Sequence, residues 1–229
     1  LKLSVALDLE KDIDNLNLVK QLKGFPIWIK IGLRTYIRDG RNIIDEVKNI
    51  DQNLKIFLDL KLYDIPNTMG DASESIADLG IDMFNVHASA GEKAMQEVMK
   101  RLNSRKNRPI VLAVTALTSF EENEFYKIYN QNILDKSLAF AEMSYRAGID
   151  GVVSSVFESK NIKEKTSSNF ITLTPGIRPF GENRDDQNRI GTIEIAKNNL
   201  ADFIVVGRPI YQSNDPRGVV EKILIEISK

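Results

Sequence analysis

Asp59 and Lys61, two residues apart, close the apolar run KIFLDLK at Lys55–Lys61. On an extended chain that spacing puts both side chains on one face, with Leu58 and Leu60 on the other. A second ammonium group, Lys30, lies in the run PIWIKIG at Pro26–Gly32, and Asp8 ends the run LSVALD at Leu3–Asp8. Acids and amines inside a fold are expensive to desolvate unless they form a network. Gathered in one place, they either keep a lysine charged for proton transfer or fill a core layer as a buried ion pair. The residue types alone allow both. Two further segments, Pro175-Gly176-Ile177-Arg178 and Gly207-Arg208, join turn glycines to guanidinium groups. Backbone N–H groups beside an arginine fork suit a phosphate, although turn glycines with surface arginines have the same look.

These residues sit at the ends of a regular series of elements. Short runs rich in Val, Ile, Leu and Phe recur at Leu3–Asp8, Pro26–Gly32, Lys55–Lys61, Met83–Ser89, Pro109–Leu117, Gly151–Ser155, Phe170–Gly176 and Phe203–Pro209. They read as buried parallel strands. Between them the spacing turns helical: Asn67–Asp78 places Met69, Ala72, Ile76 and Ala77 on one face, and Leu134–Arg146 places Leu134, Leu138, Ala141 and Tyr145 on another. Thr192–Asn198 and Pro216–Ser228 are further helices. The similar segments ADLGID, RAGID and KNNLAD each lead from a helix end into the next strand. Eight strands alternating with eight helical segments predict a single-domain (β/α)₈ barrel over residues 1–229, with an open doubly wound sheet as the second choice. In such a barrel the reactive groups belong at the carboxyl ends of the strands, which is where Asp8, Lys30, Asp59, Lys61, Arg178 and Arg208 fall.

Composition narrows the chemistry. The 229 residues carry 31 Lys and Arg against 32 Asp and Glu, so the formal charge of −1 offers no long-range attraction for a nucleic acid. With 42% hydrophobic and 28% charged residues the chain is globular in character. Zero cysteines exclude disulfides, a thiolate nucleophile, iron–sulfur clusters and thiolate-held zinc. The one histidine, His87, excludes a histidine-rich metal site and leaves little room for a Ser-His-Asp triad. No apolar run approaches the ~20 residues that cross a bilayer, and no basic region followed by an apolar core opens the chain. The expectation is a soluble, cytoplasmic protein working with carboxylates, Lys, Arg and backbone amides, without a metal or cofactor. Because the sequence opens on Leu1, an initiator methionine is expected upstream.

Several features take plain structural readings. His87 is expected to close a strand and Trp28 to pack in the barrel or against a helix, and the basic stretch Asn103–Arg108 is a solvated turn at the amino end. The polar and aromatic insertion Thr118–Ile133 reads as a surface elaboration. Pro179–Arg189, polar and without apolar periodicity, is either a solvated loop or a lid over a phosphate.

The segment FLDLKLYDIPNT at Phe57–Thr68 resembles the signature of the orotidine 5′-phosphate decarboxylase family. The resemblance continues, in order, through VALD at Val5–Asp8, KIG at Lys30–Gly32, NVHAS at Asn85–Ser89, LTS at Leu117–Ser119, TPGIRP at Thr174–Pro179 and GRP at Gly207–Pro209. It implies a cofactor-independent (β/α)₈ homodimer that turns orotidine 5′-phosphate into UMP. It also implies a catalytic network of Lys30, Asp59, Lys61 and Asp64, with Lys61 as proton donor. Asp64, Ile65 and Thr68 would reach the partner's site. Asp8 and Lys30 would meet the ribose hydroxyls, and Thr118 and Ser119 the pyrimidine. Arg178, Gln187, Gly207 and Arg208 would hold the phosphate, Gln187 closing the 179–189 loop. Ala116 departs from the bulkier residue of many bacterial relatives. Two competitors share parts of the pattern: a magnesium-dependent decarboxylase of a sugar-acid phosphate, which lacks the D-I-P-N-T continuation, and a silent nucleotide-binding barrel, against which the intact Asp59/Lys61 pair counts.

Overall fold

The computed structural model describes residues 1–181 and 189–229. Eight parallel strands close into a barrel in sequence order: β1 Lys2–Leu7, β2 Trp28–Gly32, β3 Lys55–Leu62, β4 Met83–His87, β5 Ile110–Val114, β6 Gly151–Val153, β7 Ile171–Thr174 and β8 Phe203–Val206. The helices described are α1 Asp12–Gln21, α2 Leu33–Asp39, α3 Asn42–Ile50, α4 Pro66–Ala77, α5 Glu92–Leu102, α6 Glu122–Tyr129, α7 Ile133–Arg146, α8 Ser159–Lys165, α9 Ile193–Asn198, α10 Arg208–Tyr211 and α11 Pro216–Ser228. This is the (β/α)₈ barrel the strand pattern predicts, not the open sheet.

Alternation along the strands divides the apolar residues between two cores. Ala6, Phe57, Met83, Leu112, Val114, Val153, Leu173, Phe203 and Val205 fill the barrel interior. Their neighbours in sequence, among them Val5, Leu58, Phe84, Val111 and Ile204, pack outward against the helices. Trp28 lies against this interior set and meets Phe203 edge-on, so it is a packing residue.

The three similar segments share one physical device. Each ends in an aspartate, Asp82, Asp150 or Asp202, just before an even-numbered strand. Its backbone N–H donates to the carbonyl of Ile56, Val111 or Thr172 on the preceding strand. Its carboxylate accepts the N–H of that same residue, at 2.9, 2.8 and 2.8 Å respectively. A cation completes each clamp: Lys55 at Asp82, Arg108 in a bidentate pair at Asp150, Lys163 at Asp202. These clamps seal strand pairs at the amino end of the barrel, and the basic stretch Asn103–Arg108 supplies one of their cations rather than only a solvated turn.

Two helix faces differ from the periodic reading. On α7 the buried set is Ile133, Ser137, Phe140, Ala141 and Ser144, while Leu134 and Tyr145 are 43% and 47% exposed. On α4 it is Met69, Gly70, Ser73 and Ile76. In both, small residues such as Ser137, Ser144, Gly70 and Ser73 share the inner face with the large apolar ones, and the apolar period alone does not mark them. The insertion also has more internal order than a surface elaboration needs. It contains α6, whose buried Phe125 packs with Phe120, Tyr129, Ala116 and Ile133 in a small core of its own.

Asp150→Ala should lower stability in urea unfolding by about 1–3 kcal/mol, since it strands the Val111 N–H and the Arg108 guanidinium together. A loss below ~0.5 kcal/mol, the range of an ordinary surface change, would show that the clamp does not stabilise the barrel.

Candidate active site

At the carboxyl ends of the strands the barrel opens into a cavity of about 420 Å³. Its lining includes Asp8, Lys30, Asp59, Lys61, Thr118, Ser119, Arg178, Gly207 and Arg208, which the sequence places at six different strand ends or loops and the fold brings together. Gly176 of the β7 turn and Tyr211 of α10 also face it.

The four charged residues from β1, β2 and β3 form an alternating row. The Lys30 ammonium lies 3.2 Å from Asp8 and 3.6 Å from Asp59, and the Lys61 ammonium lies 2.6 Å from Asp59. Burial alone would push the Lys30 pKa down, but the Asp59 and Asp8 carboxylates outweigh it and hold that pKa above the usual lysine value. Asp59 shows the mirror case. Burial acts to raise its pKa, yet Lys30, Lys61 and hydrogen bonds from Lys61 and Asn85 leave it lowered, so the carboxylate stays ionised. Gly32 makes room for the row. A Cβ there would stand 2.9 Å from Lys30 Nζ and 3.1 Å from the Asp8 carboxylate, so any side chain displaces the pair.

The Asp59/Lys61 arrangement does not come from simple alternation. Leu58 pairs with Phe84, so an unbroken register would set Leu60 opposite Val86; Leu62 stands there instead. The strand absorbs the shift at Lys61, whose φ of 56° lies in the left-handed region. Asn85 on β4, not singled out by any reading of the sequence, spans the irregularity. Its Oδ1 accepts the Lys61 backbone N–H and its Nδ2 donates to Asp59, each at 2.7 Å. The signal was the N of NVHAS, a polar residue inside an apolar strand, which invites the question of its hydrogen-bond partner.

Asp64, Ile65 and Thr68 stand apart. All three are exposed and none lines the cavity of its own chain; Ile65 is 66% and its neighbour Tyr63 65% exposed. Gln187 lies outside the described residues, as does most of the 179–189 segment. The ends of that segment are described. Arg178 is buried, its N–H donates to Gly191 O at 2.9 Å, and Gly191 N–H donates back to Gly176 O. Arg189 pairs with the buried Glu158 and reaches Leu117 O, next to Thr118, at 3.3 Å. His87 accepts from the Ser89 N–H and caps the short 3₁₀ turn Ala88–Ala90, which agrees with its reading as a strand-closing residue. Among the described residues no three His, Asp or Glu side chains group as metal ligands, and no helix is long and apolar enough to cross a membrane.

The comparisons with known proteins point one way. A 59% identical relative from Nitratiruptor sp. and a 60% identical one from Campylobacter jejuni subsp. doylei, each aligned over 227 residues (99% of this chain and all of theirs), are both orotidine 5′-phosphate decarboxylases. The crystal structure of orotidine 5′-phosphate decarboxylase from Lactobacillus acidophilus superposes with a TM-score of 0.85 at 33% identity, covering 100% of this chain and 99% of that one. That of the Methanocaldococcus jannaschii enzyme, complexed with the inhibitor BMP, does so at 0.80 and 25%, covering 100% and 99%. The orotidine 5′-phosphate decarboxylase / HUMPS family model matches residues 1–223. With that match spanning nearly its whole length, the chain belongs to the orotidine 5′-phosphate decarboxylase / HUMPS family.

Proposed function

We propose that this chain converts orotidine 5′-phosphate into UMP and CO₂ on the route to pyrimidine nucleotides, with no cofactor and with Lys61 as proton donor. One observation carries the reading. In a chain of this family, the alternating row Asp8–Lys30–Asp59–Lys61 and the two glycine–arginine turns line the same cavity.

Breaking the bond from C6 of the pyrimidine to its carboxylate sends CO₂ away and leaves the electron pair in the ring plane. No π-acceptor is aligned to take it, so preorganised charge and positioning must lower the barrier. The Lys61 ammonium stabilises the charge developing at C6, then gives that carbon a proton; the neutral amine recovers a proton from water. Asp59, beside the departing carboxylate, disfavours the bound ground state and holds Lys61 through their 2.6 Å contact. Asp8 and Lys30 meet the ribose hydroxyls, and Thr118 and Ser119 the pyrimidine. Arg178, Gly207, Arg208 and Gln187 take the phosphate, whose binding energy is spent at the distant reacting carbon. At Gly207 a Cβ would stand 3.3 Å from the Tyr211 ring and 3.4 Å from Ala6, so glycine lets the backbone of this turn pack closely at the cavity wall.

The reading extends to a homodimer with sites at the subunit interface. Asp64, Ile65 and Thr68 are exposed beside their own cavity, and Leu33 and Ile37 on α2, at the end of the neighbouring strand, are exposed large apolar residues. Both features suit a surface covered by a second copy. An acid supplied from the partner would sit on the open side of Lys61 and favour its protonated form.

With EDTA present, the purified chain should still release CO₂ from orotidine 5′-phosphate, followed as loss of ultraviolet absorbance. Lys61→Ala should nearly abolish turnover with the fold intact. More than about a tenth of parental activity would remove the proton-donor role, since general acid catalysis is worth ~10²–10⁴-fold. Mixing Asp64→Ala with Lys61→Ala subunits should restore activity through one complete site per heterodimer; subunit exchange without rescue sinks the shared site. A third expectation concerns pH. The Lys30 contribution to stability is present below its unfolded pKa near 10.5 and fades as the pH rises through its higher folded value. In Asp59→Ala only Asp8 still opposes burial, so the folded pKa of Lys30 falls and less stability is left to lose as the pH rises. Unfolding at a series of pH values should therefore show the variant gaining on the parent as the pH climbs. A constant difference would mean that Asp59 does not govern Lys30.

A further inference from the structure

We propose that Asn85 is a positioning residue for this reaction: its carboxamide holds the Lys61 backbone in the left-handed conformation and fixes the orientation of the Asp59 carboxylate that faces the Lys61 ammonium group. The inference rests on the reading of Lys61 as proton donor and adds to it the residue that sets the lysine in place.

Asn85 has no exposed surface and sits on the inward face of β4, between inward Met83 and His87. A buried carboxamide must find partners at both ends or bear the desolvation cost of the end left unpaired. Both of these ends meet the β3 irregularity. The register shift between Leu58 and Leu62 leaves Lys61 without a ladder partner on β4, and Asn85 Oδ1 accepts its N–H at 2.7 Å in place of a backbone carbonyl. A lysine at φ 56° is in a conformation that its Cβ disfavours, which persists only where its surroundings hold it.

The other end is equally determined. Nδ2 donates to Asp59 Oδ1 at 2.7 Å, the same oxygen that receives Lys61 Nζ at 2.6 Å, while Oδ2 is the oxygen nearest Lys30 at 3.6 Å. Chemistry fixes the orientation of the amide, because an ionised carboxylate can only accept and a peptide N–H can only donate. The carboxylate therefore cannot turn about its own axis without losing Asn85. Asn85 ties the two ends of Lys61 to one rigid strand: the backbone directly, and the ammonium group through Asp59. The titratable groups around it are Asp59 and Lys61 on β3, Lys30 on β2 through Asp59, and His87 two residues along β4. On its other side β5 contributes Leu112 and Val114, which do not titrate.

Two variants test this. Asn85→Ala should lower kcat by about 10²-fold, the scale of a misplaced reacting group. The dissociation constant for UMP, which is held mainly by phosphate and ribose contacts, should stay within about threefold. In Asn85→Asp the introduced carboxyl, when protonated, can donate to Asp59 and accept from Lys61 as the amide does; when ionised, it confronts Asp59 with a like charge. Its kcat relative to the parent should therefore rise as the pH is lowered, a signature that mere loss of packing does not produce. The idea is overturned if Asn85→Ala keeps parental kcat within about threefold, or if the pH profile of Asn85→Asp runs parallel to the parent's. Should the alanine variant fail to accumulate, the aspartate profile decides alone. Lys61→Ala, measured beside them, separates the two ideas. An active Lys61→Ala overturns the proton-donor reading, whereas an inactive one with unaffected Asn85 variants overturns only the role of Asn85.

Discussion

Asp59 shares one carboxylate between two ammonium groups inside the barrel mouth, and the rest of the site is arranged around that contact. The buried Lys30 depends on it most, because taking an ammonium ion out of water costs several kcal/mol after relaxation. The row Asp8–Lys30–Asp59–Lys61 solves the problem by alternating sign, so that every interior member touches an opposite charge and the four sum to zero. The opposed influences on Lys30 and Asp59 show how the balance falls. Burial works against the charged form of each, and its neighbours prevail in each. Removing one member takes from its neighbour one of the opposite charges that offset burial, so the members depend on one another.

That electrostatic arrangement makes demands on the backbone. Gly32 is bare because the Lys30 ammonium occupies the place of its side chain. Strand β3 interrupts its ladder to β4 between Leu58 and Leu62 and turns Lys61 into a conformation that lysine disfavours. At the opposite end of the barrel the strand pairing is regular: Asp82, Asp150 and Asp202 reinforce it with reciprocal backbone and side-chain bonds. The molecule thus separates its tasks by end, with regular pairing at the amino end and irregular geometry at the carboxyl end. This separation is what lets a barrel tolerate a costly site.

The barrel was legible in the sequence because parallel strands buried on both faces leave an unmistakable mark, a short apolar run such as FIVV at Phe203–Val206, repeated eight times. Helix faces were less so. The inner face of α7 is written in Ser137, Ala141 and Ser144, residues that hydropathy counts as neutral, while exposed Leu134 and Tyr145 drew the eye outward. The charged row was readable from strand spacing, yet the reason Lys61 reaches Asp59 was not, since alternation predicts a regular strand and the structure has a shifted one. Asn85 escaped because its partners lie 24 and 26 residues away and only the folded register brings them together. The same holds for Glu158 and Arg189, 31 residues apart, whose pairing links the end of the 179–189 segment to the loop carrying Thr118.

The exposed loop after β3 carries the logic one step further. Lys61 is the outermost member of the row, with a third of its side chain exposed, and among the described residues Asp59 is the carboxylate that pairs with it. Chain continuity sends Tyr63, Asp64 and Ile65 away from that lysine, because the turn needed to place Lys61 also directs the strand outward into α4. A second acid near Lys61 therefore cannot readily come from the residues that follow it. Only a group from outside this stretch can close the open side, and a loop that presents an acid between two large exposed apolar residues has the chemistry to do so for a second copy. In the proposed dimer, the conformation that equips one chain with its lysine would leave its aspartate for the other.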